Sequence, residues 1–296
     1  MHILLTGSTG FIGKTLQAAL TGAGHTVLGG VSPRPRTVRS DQVTMDFAHD
    51  TTPAAWLPRL QGIDAVVNAV GVLRDTRARP IQAVHQNTPI ALFEACAQAG
   101  VQRVVQISAL GIEGSPTQYA RTKQAAEGCL KALAAQHKLQ PAILRPSVVF
   151  GKGGDSSALF MNLARLPLAL FPGPVLDARV QPVSVHDVAA VVVALLGPAL
   201  STTGTIECTG PKSLTMGAFI ASLRQQTGHN PAKILRLLPL LTRLSARIGD
   251  LVPASPWCSE TLAMLGSDNV GDPALFEQLL GRKGVHYSQL VATAWR

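Results

Sequence analysis

"LLTGSTGFIGKTL", residues 4–16, is a short apolar run followed by glycines at Gly7, Gly10 and Gly13, with Thr6 before them and Lys14 behind. The apolar run reads as a strand covered on both faces, and the residues from about Ile12 to Thr21 as a helix. A glycine-rich turn between a first strand and a first helix is the setting of a dinucleotide fingerprint. Gly7 permits the tight turn, Gly10 lets backbone approach a pyrophosphate, and Gly13 lets helix and strand pack closely. Thr9, Phe11 and Ile12 complete the loop, whose helix N-terminus offers N–H donors and a positive partial charge.

The same alternation continues along the chain. Strands are expected at His25–Val31, in "DQVTMDF", at 64–70, at 103–108 and at 141–150, and helices near 54–60, 80–99 and 119–137. Strand–helix alternation at this spacing predicts an α/β fold, a Rossmann-type doubly wound parallel sheet. The rhythm breaks after Phe150, where "GKGGDSS" and "LPLALFPGPV" are rich in Gly and Pro. A helix at 186–196 and a strand in "GTIECTG" return to it. Residues 1–150, joined by 180–210, are therefore read as the nucleotide-binding domain, and 151–179 with 211–296 as a smaller, mostly helical region for substrate or partner.

Composition narrows the function classes. The 46% hydrophobic and 15% charged content of these 296 residues is that of a globular chain. A net charge of +9 attracts phosphates, anionic lipids or acidic partners. No Lys/Arg block or zinc-finger spacing is present, and aromatics are only 4%, so nucleic-acid binding is not expected. Four dispersed cysteines and eight histidines without ligand spacing point to buried thiols in a reducing compartment and to no metal site. A strand from residue 2 and no apolar run of spanning length predict a cytoplasmic location, with peripheral contact on the inner face of a membrane as the second one.

The end of the second strand discriminates between nucleotides, because an acid there binds the ribose 2′-hydroxyl and repels a 2′-phosphate. No Asp or Glu lies between Lys14 and Ser40, and "GGVSPRPRTVRS" places Ser32, Arg34, Arg36 and Arg39 in that region. Arginine holds phosphate bidentately and is always charged. NADP(H) is the expected ligand and NAD(H) the weaker alternative; a solvated basic loop is the bland one.

"YARTK" sets Tyr119 and Lys123 at i and i+4 on one helix face. An ammonium there lowers the phenol pKa and grips a ribose, and the phenol exchanges a proton with a substrate oxygen as hydride moves.

The T-G-x-x-G-x-x-G form resembles the short-chain dehydrogenase/reductase superfamily in its extended and atypical branches. "VVNAVGVL", "GVQRVVQISALG", "RPSVVFGKGG", "VQPVSVHDVA" and "LGSDNVG" are similar to the atypical reductases related to the dinucleotide-binding accessory subunit of respiratory complex I. The resemblance covers residues 1–210 clearly and 211–296 loosely. It implies that Asp46, beside Phe47, caps the adenine amino group. It also implies that Ala69, Val70 and Gly71 pass under the adenine ribose, that Ile107 and Ser108 reach the cofactor, and that Pro146, Ser147 and Val148 line the nicotinamide. Ser108 is the candidate catalytic hydroxyl, although Leu110 fills the usual serine position and the loop to Tyr119 is shorter than in sugar epimerases. Asp187 in "VHDVA" reads as a helix cap or, less simply, as a catalytic acid.

"KILRLLPLLTRLSARIGDL", residues 233–251, has Arg236, Arg243 and Arg247 within an arc of about 40° if the helix is continuous. It reads as a membrane- or partner-docking helix, or as a core helix with one solvated basic edge. Two functions stand open: reduction of a small carbonyl or quinone-like substrate, or a non-catalytic NADPH-binding module with structural, redox-sensing or membrane-associated output.

Overall fold

The computed structural model describes residues 1–33, 37–197, 202–251 and 257–295. Arg34 and Arg36 lie outside the described residues. The chain divides into two units, residues 1–146 with 188–207, and residues 147–187 with 208–296.

The first unit is built on strands β1 (His2–Thr6), β2 (Thr26–Val31), β3 (Gln42–Thr44), β4 (Ala65–Asn68), β5 (Arg103–Ile107) and β6 (Gln140–Pro146). With the returning strand Gly204–Cys208 outside β6, the seven-stranded sheet runs β6-β5-β4-β1-β2-β3 from that strand inward. From β6 to β3 every neighbour pairs in parallel. Both faces are covered, which is why Ile3, Leu4, Leu5, Val66 and Val67 are fully buried as runs and not in alternation. The order reverses between β1 and β4, and the loops after these two strands form the crevice where doubly wound sheets bind ligands.

Local chemistry shapes the elements that carry the site. Helix α1 (Phe11–Gly22) starts at Gly10 with no side-chain cap, leaving its first N–H groups unclaimed by its own cap residue. The helix Gln118–Ala135 is capped by Thr117, whose Oγ1 accepts from Ala120 N at 3.2 Å. The segment expected as one helix over 80–99 is a π-helical turn, Ala83–Asn87, running into an α-helix, Thr88–Ala99.

Among its described residues the second unit is mostly helical, with three two-stranded pairs. The strand expected over 141–150 is broken: β6 ends at Pro146, which has no N–H for a ladder, and Val149–Phe150 pairs instead with Val183–Ser184. Residues 233–251 are not one helix. Lys233–Leu237 is a strand parallel to Leu168–Pro172, and a helix starts at Pro239 and ends at Asp250. Arg236 consequently sits on the strand, paired with Asp177, and not in the arc of Arg243 and Arg247. A core of Phe150, Phe160, Phe219 and Leu223 with Leu290 closes this unit.

Candidate active site

The glycine turn closes on its own backbone. Gly7 has φ +71°, and Gly10 N donates to Gly7 O at 2.9 Å. A Cβ at Gly13 would stand 2.0 Å from Gly7 O and 2.7 Å from Gly7 C, both backbone atoms that cannot yield. A Cβ at Gly7 would meet Val70 Cγ2 at 3.0 Å and Ala69 backbone at 3.1 Å. The first turn therefore presses on the loop after β4, and Thr9 and Gly10 stay exposed beside it while Phe11 and Ile12 are half-buried. Ser8, absent from the sequence reading, fastens the turn to β2 by donating from Oγ to Gly30 O at 3.0 Å.

A buried polar ladder crosses the sheet beneath these loops. Thr6 Oγ1 donates to Asn68 Oδ1 at 2.5 Å, Asn68 Nδ2 to Gln106 Oε1 at 2.7 Å, and Gln106 Nε2 to Ile107 O at 3.1 Å. It locks the ends of β1, β4 and β5 into one register, so the loops that follow are positioned by three strands together.

Tyr119 and Lys123 stand side by side at the first turns of their helix, with the Lys123 Nζ 6.0 Å from the Tyr119 ring centre. Lys123 is buried and donates to Ile107 O at 3.1 Å. Burial pulls its pKa down to about 8, with Glu127 opposing. Burial pushes the Tyr119 phenol up to about 12. Burial outweighs any lowering of the phenol by the Lys123 ammonium.

His85 was not singled out by its sequence context, yet it lies at the centre of this group. It sits in the π-helical turn, and its ring meets Tyr119 edge-on at 5.1 Å between centres. Its Nε2 accepts from Val72 N at 2.9 Å, which puts the ring proton on Nδ1, 3.4 Å from Thr122 Oγ1. A Cβ on Gly71 would be 3.6 Å from both His85 Nε2 and Lys123 Nζ. Gly71, His85 and Lys123 thus converge, with His85 bridging the β4 loop to the Tyr119 helix. π-Turns of this kind occur frequently at functional sites.

Burial first, and the Lys123 charge second, depress the His85 pKa to about 2. The folded value lies below the unfolded one, so the unfolded chain takes up a proton that the folded chain refuses, and stability is lost as pH falls below about 6.5. Urea titrations between about pH 6.5 and 5, above the carboxylate range, should show a stability loss from this residue that steepens from about 0.7 to about 1.4 kcal/mol per pH unit. His85→Gln should remove that slope; an unchanged slope means that another group is responsible.

Other expected site residues have partners of their own. Ser108 is buried and its Oγ donates to Glu127 Oε1 at 2.5 Å, which engages the hydroxyl proton with a buried ion pair. Phe47 is a core ring, edge-on to Trp56 at 5.6 Å. The Asp46 carboxylate accepts from Ala48 N at 3.0 Å and lies 2.9 Å from His49 Nδ1 while keeping an exposed edge. Ser32 is exposed just past β2. Pro146 ends β6, whereas Ser147 and Val148 open the second unit, where Ser147 Oγ donates to Asn269 O at 2.9 Å and Val148 packs on the apolar core. Asp187 does not cap its helix: it accepts from Arg282 Nη2 at 2.6 Å and Val285 N at 2.7 Å, fastening the C-terminal segment. Among the described residues no group of His, Cys, Asp and Glu could hold a metal ion.

The turn fits a dinucleotide: a Cβ would fill its cradle, and the uncapped helix start supplies anion-binding N–H groups. A family model described as "NAD dependent epimerase/dehydratase family" matches residues 3–203. A ceramide reductase of Caulobacter vibrioides is 30% identical over 200 residues, 65% of this chain and 60% of its own length. A UDP-glucose 4-epimerase of Vibrio cholerae is 26% identical over 194 residues, 58% of each chain. This chain thus spans about 60% of the length of these two relatives. Among solved structures, the UDP-glucuronic acid 4-epimerase of Bacillus cereus, in complex with UDP-glucuronic acid and NAD, superposes with a TM-score of 0.71 at 20% identity, covering 99% of this chain and 98% of that one. The UDP-N-acetylglucosamine 4-epimerase of the same organism gives 0.71 at 18% identity, with 98% and 96% covered. At that identity the likeness is one of fold.

Proposed function

Because this chain belongs to the NAD-dependent epimerase/dehydratase family, whose members use nicotinamide dinucleotides, we propose that it is an NADP(H)-dependent oxidoreductase acting on a carbonyl or quinone-like substrate. The observation that carries this reading is the convergence of Tyr119, Lys123 and Gly71 at the crevice mouth. The glycine turn Gly7–Gly13 would hold the pyrophosphate and the loop Ala69–Gly71 the adenine ribose. When bound, the nicotinamide supplies or accepts the hydride.

The side chains do the rest. With its pKa near 12, Tyr119 is a protonated phenol at neutral pH, suited to give its proton to a carbonyl oxygen as hydride reaches the carbon. Lys123, cationic below about pH 8, offsets the charge left on the phenolate and offers a donor to a ribose hydroxyl. The resemblance to a ceramide reductase supports reduction, and the short Ser108–Tyr119 loop speaks against a nucleotide-sugar substrate. The acid-free segment after β2, with Arg34 and Arg36, supports NADP(H) over NAD(H).

Fluorescence titration tests the nucleotide. NADPH should bind more tightly than NADH, and the double substitution Arg34→Ala/Arg36→Ala should weaken NADPH by about tenfold or more per arginine while sparing NADH. Tighter NADH binding defeats the NADP(H) assignment. The second reading, a non-catalytic NADPH-binding module of the complex I accessory type, is favoured by Leu110 at the usual serine position. It prevails if NADPH binds but no quinone or carbonyl in a broad panel is reduced at 340 nm.

A further inference from the structure

We propose that the helix Pro239–Asp250, with the strand before it, docks the protein on the surface of an anionic lipid bilayer. This goes beyond the oxidoreductase reading and does not depend on it.

The helix is built inside out. At 100° per residue, Leu240, Leu241, Leu244, Ile248 and Leu251 fall within an arc of about 100°. All five are exposed, from 46% for Leu241 to 82% for Leu251. The buried face carries Thr242, Ala246 and Gly249, with the half-buried Ser245 beside them accepting from Trp257 Nε1 at 3.2 Å. A Cβ on Gly249 would lie 1.9 Å from Trp257 O, so this glycine is seated directly on backbone. The helix cannot roll to bury its leucines without lifting from that seat, and the leucines face outward by construction.

The apolar surface continues into the preceding strand. Parallel pairing puts Leu168 opposite Lys233 and Leu170 opposite Leu235, so one face of this pair carries Leu168, Leu170 and Leu235, each more than half exposed. Leu238, 66% exposed, joins strand to helix. Large apolar side chains left exposed on a helix and on the strand pair before it mark an interaction site.

Charge selects the occupant. Arg243 and Arg247 flank the leucine arc on one side, both exposed and without an ion pair among the described residues. Lys233 adds a third cation on the strand, whereas Arg236 is neutralised by Asp177. A two-fold contact with a second copy would set these cations against themselves. An aliphatic stripe edged by arginines on a chain of net charge +9 suits phospholipid headgroups above acyl chains. At 12 residues the helix is about 18 Å long, too short to cross a core of about 30 Å, so it lies in the interface.

Flotation of the full chain on vesicles tests this. The protein should float with phosphatidylcholine–phosphatidylglycerol vesicles, and Arg243→Gln/Arg247→Gln should lower partitioning roughly 25-fold, about fivefold per charge. Leu240→Ser/Leu244→Ser/Ile248→Ser should lower it by about a hundredfold or more, since these side chains supply the buried apolar area. Because the three residues are exposed, the triple variant should keep wild-type nucleotide affinity and melting temperature. The proposal is overturned if the wild type stays at the bottom of the gradient or if the triple variant floats equally well. It is overturned too if, without vesicles, sedimentation shows a dimer that the triple variant dissolves.

Discussion

Tyr119→Phe is expected to lower kcat for carbonyl reduction by about 10²–10⁴, the usual worth of a positioned proton donor, while nucleotide affinity stays within about twofold. The substitution removes only the phenolic oxygen. The ring keeps its edge-on contact with His85 at 5.1 Å, and the helix keeps its Thr117 cap. Lys123→Met should behave differently, weakening nucleotide binding and kcat together, because the ammonium is expected to touch a ribose as well as to stabilise phenolate. The pH profile separates the two roles. Lys123 holds its proton below about 8, so kcat should be flat through neutral pH and fall as the ammonium is lost above that value. Tyr119 ionises only near 12 and contributes nothing in that range. The descending limb should persist at reduced height in Tyr119→Phe and vanish in Lys123→Met. Equal rates for wild type and Tyr119→Phe would remove Tyr119 from the chemistry.

What was legible in the sequence is what local periodicity and spacing decide. The glycine turn, the alternation of strand and helix, and the i, i+4 placement of Tyr119 and Lys123 each depend on a few neighbouring residues. The partners of polar side chains depend on which distant element arrives beside them. Ser108 meets Glu127 on the next helix, His85 meets a loop 13 residues earlier and a helix 37 residues later, and Asp187 meets Arg282 and Val285 after nearly a hundred residues. No window shorter than those separations contains the information. Residues 233–251 make the same point for backbone. Their leucines and arginines have helical spacing throughout, but Lys233–Leu237 is drawn into a strand by Leu168–Pro172, and Pro239 starts the helix where a proline is tolerated. The one clue to His85 is compositional: a histidine beside Gln82, Gln86 and Asn87 in the stretch leading to the Thr88–Ala99 helix, too common a pattern to single out.

The pair on which Ser108 is spent should be the most sensitive point of the first unit. Arg145 on β6 reaches Glu127 through Nε at 3.0 Å and Nη2 at 2.6 Å, a bidentate contact, and Glu113 through Nη1 at 2.7 Å. The Arg145 and Glu127 side chains are 8% and 2% exposed. Burial by itself would raise the Glu127 pKa, but the bonds from Arg145 and Ser108, with the charges of Arg145 and Lys131, more than reverse it and hold the carboxyl below its ordinary value. Arg145→Leu leaves that charge buried with Ser108 and the more distant ammoniums of Lys131 and Lys123, and should cost about 3–5 kcal/mol in urea unfolding. Arg145→Leu/Glu127→Leu should recover most of the loss, because no uncompensated charge remains. The pH dependence should change sign as well. In the wild type the Glu127 pKa is depressed on folding, so its contribution is lost as pH falls through the acid range. In Arg145→Leu burial dominates and the folded pKa rises above the unfolded one, so acidification protonates Glu127 and relieves the penalty. If both single variants lose little and the double shows no coupling, the pair is dispensable, and the placement of Ser108 must be explained by something other than Glu127.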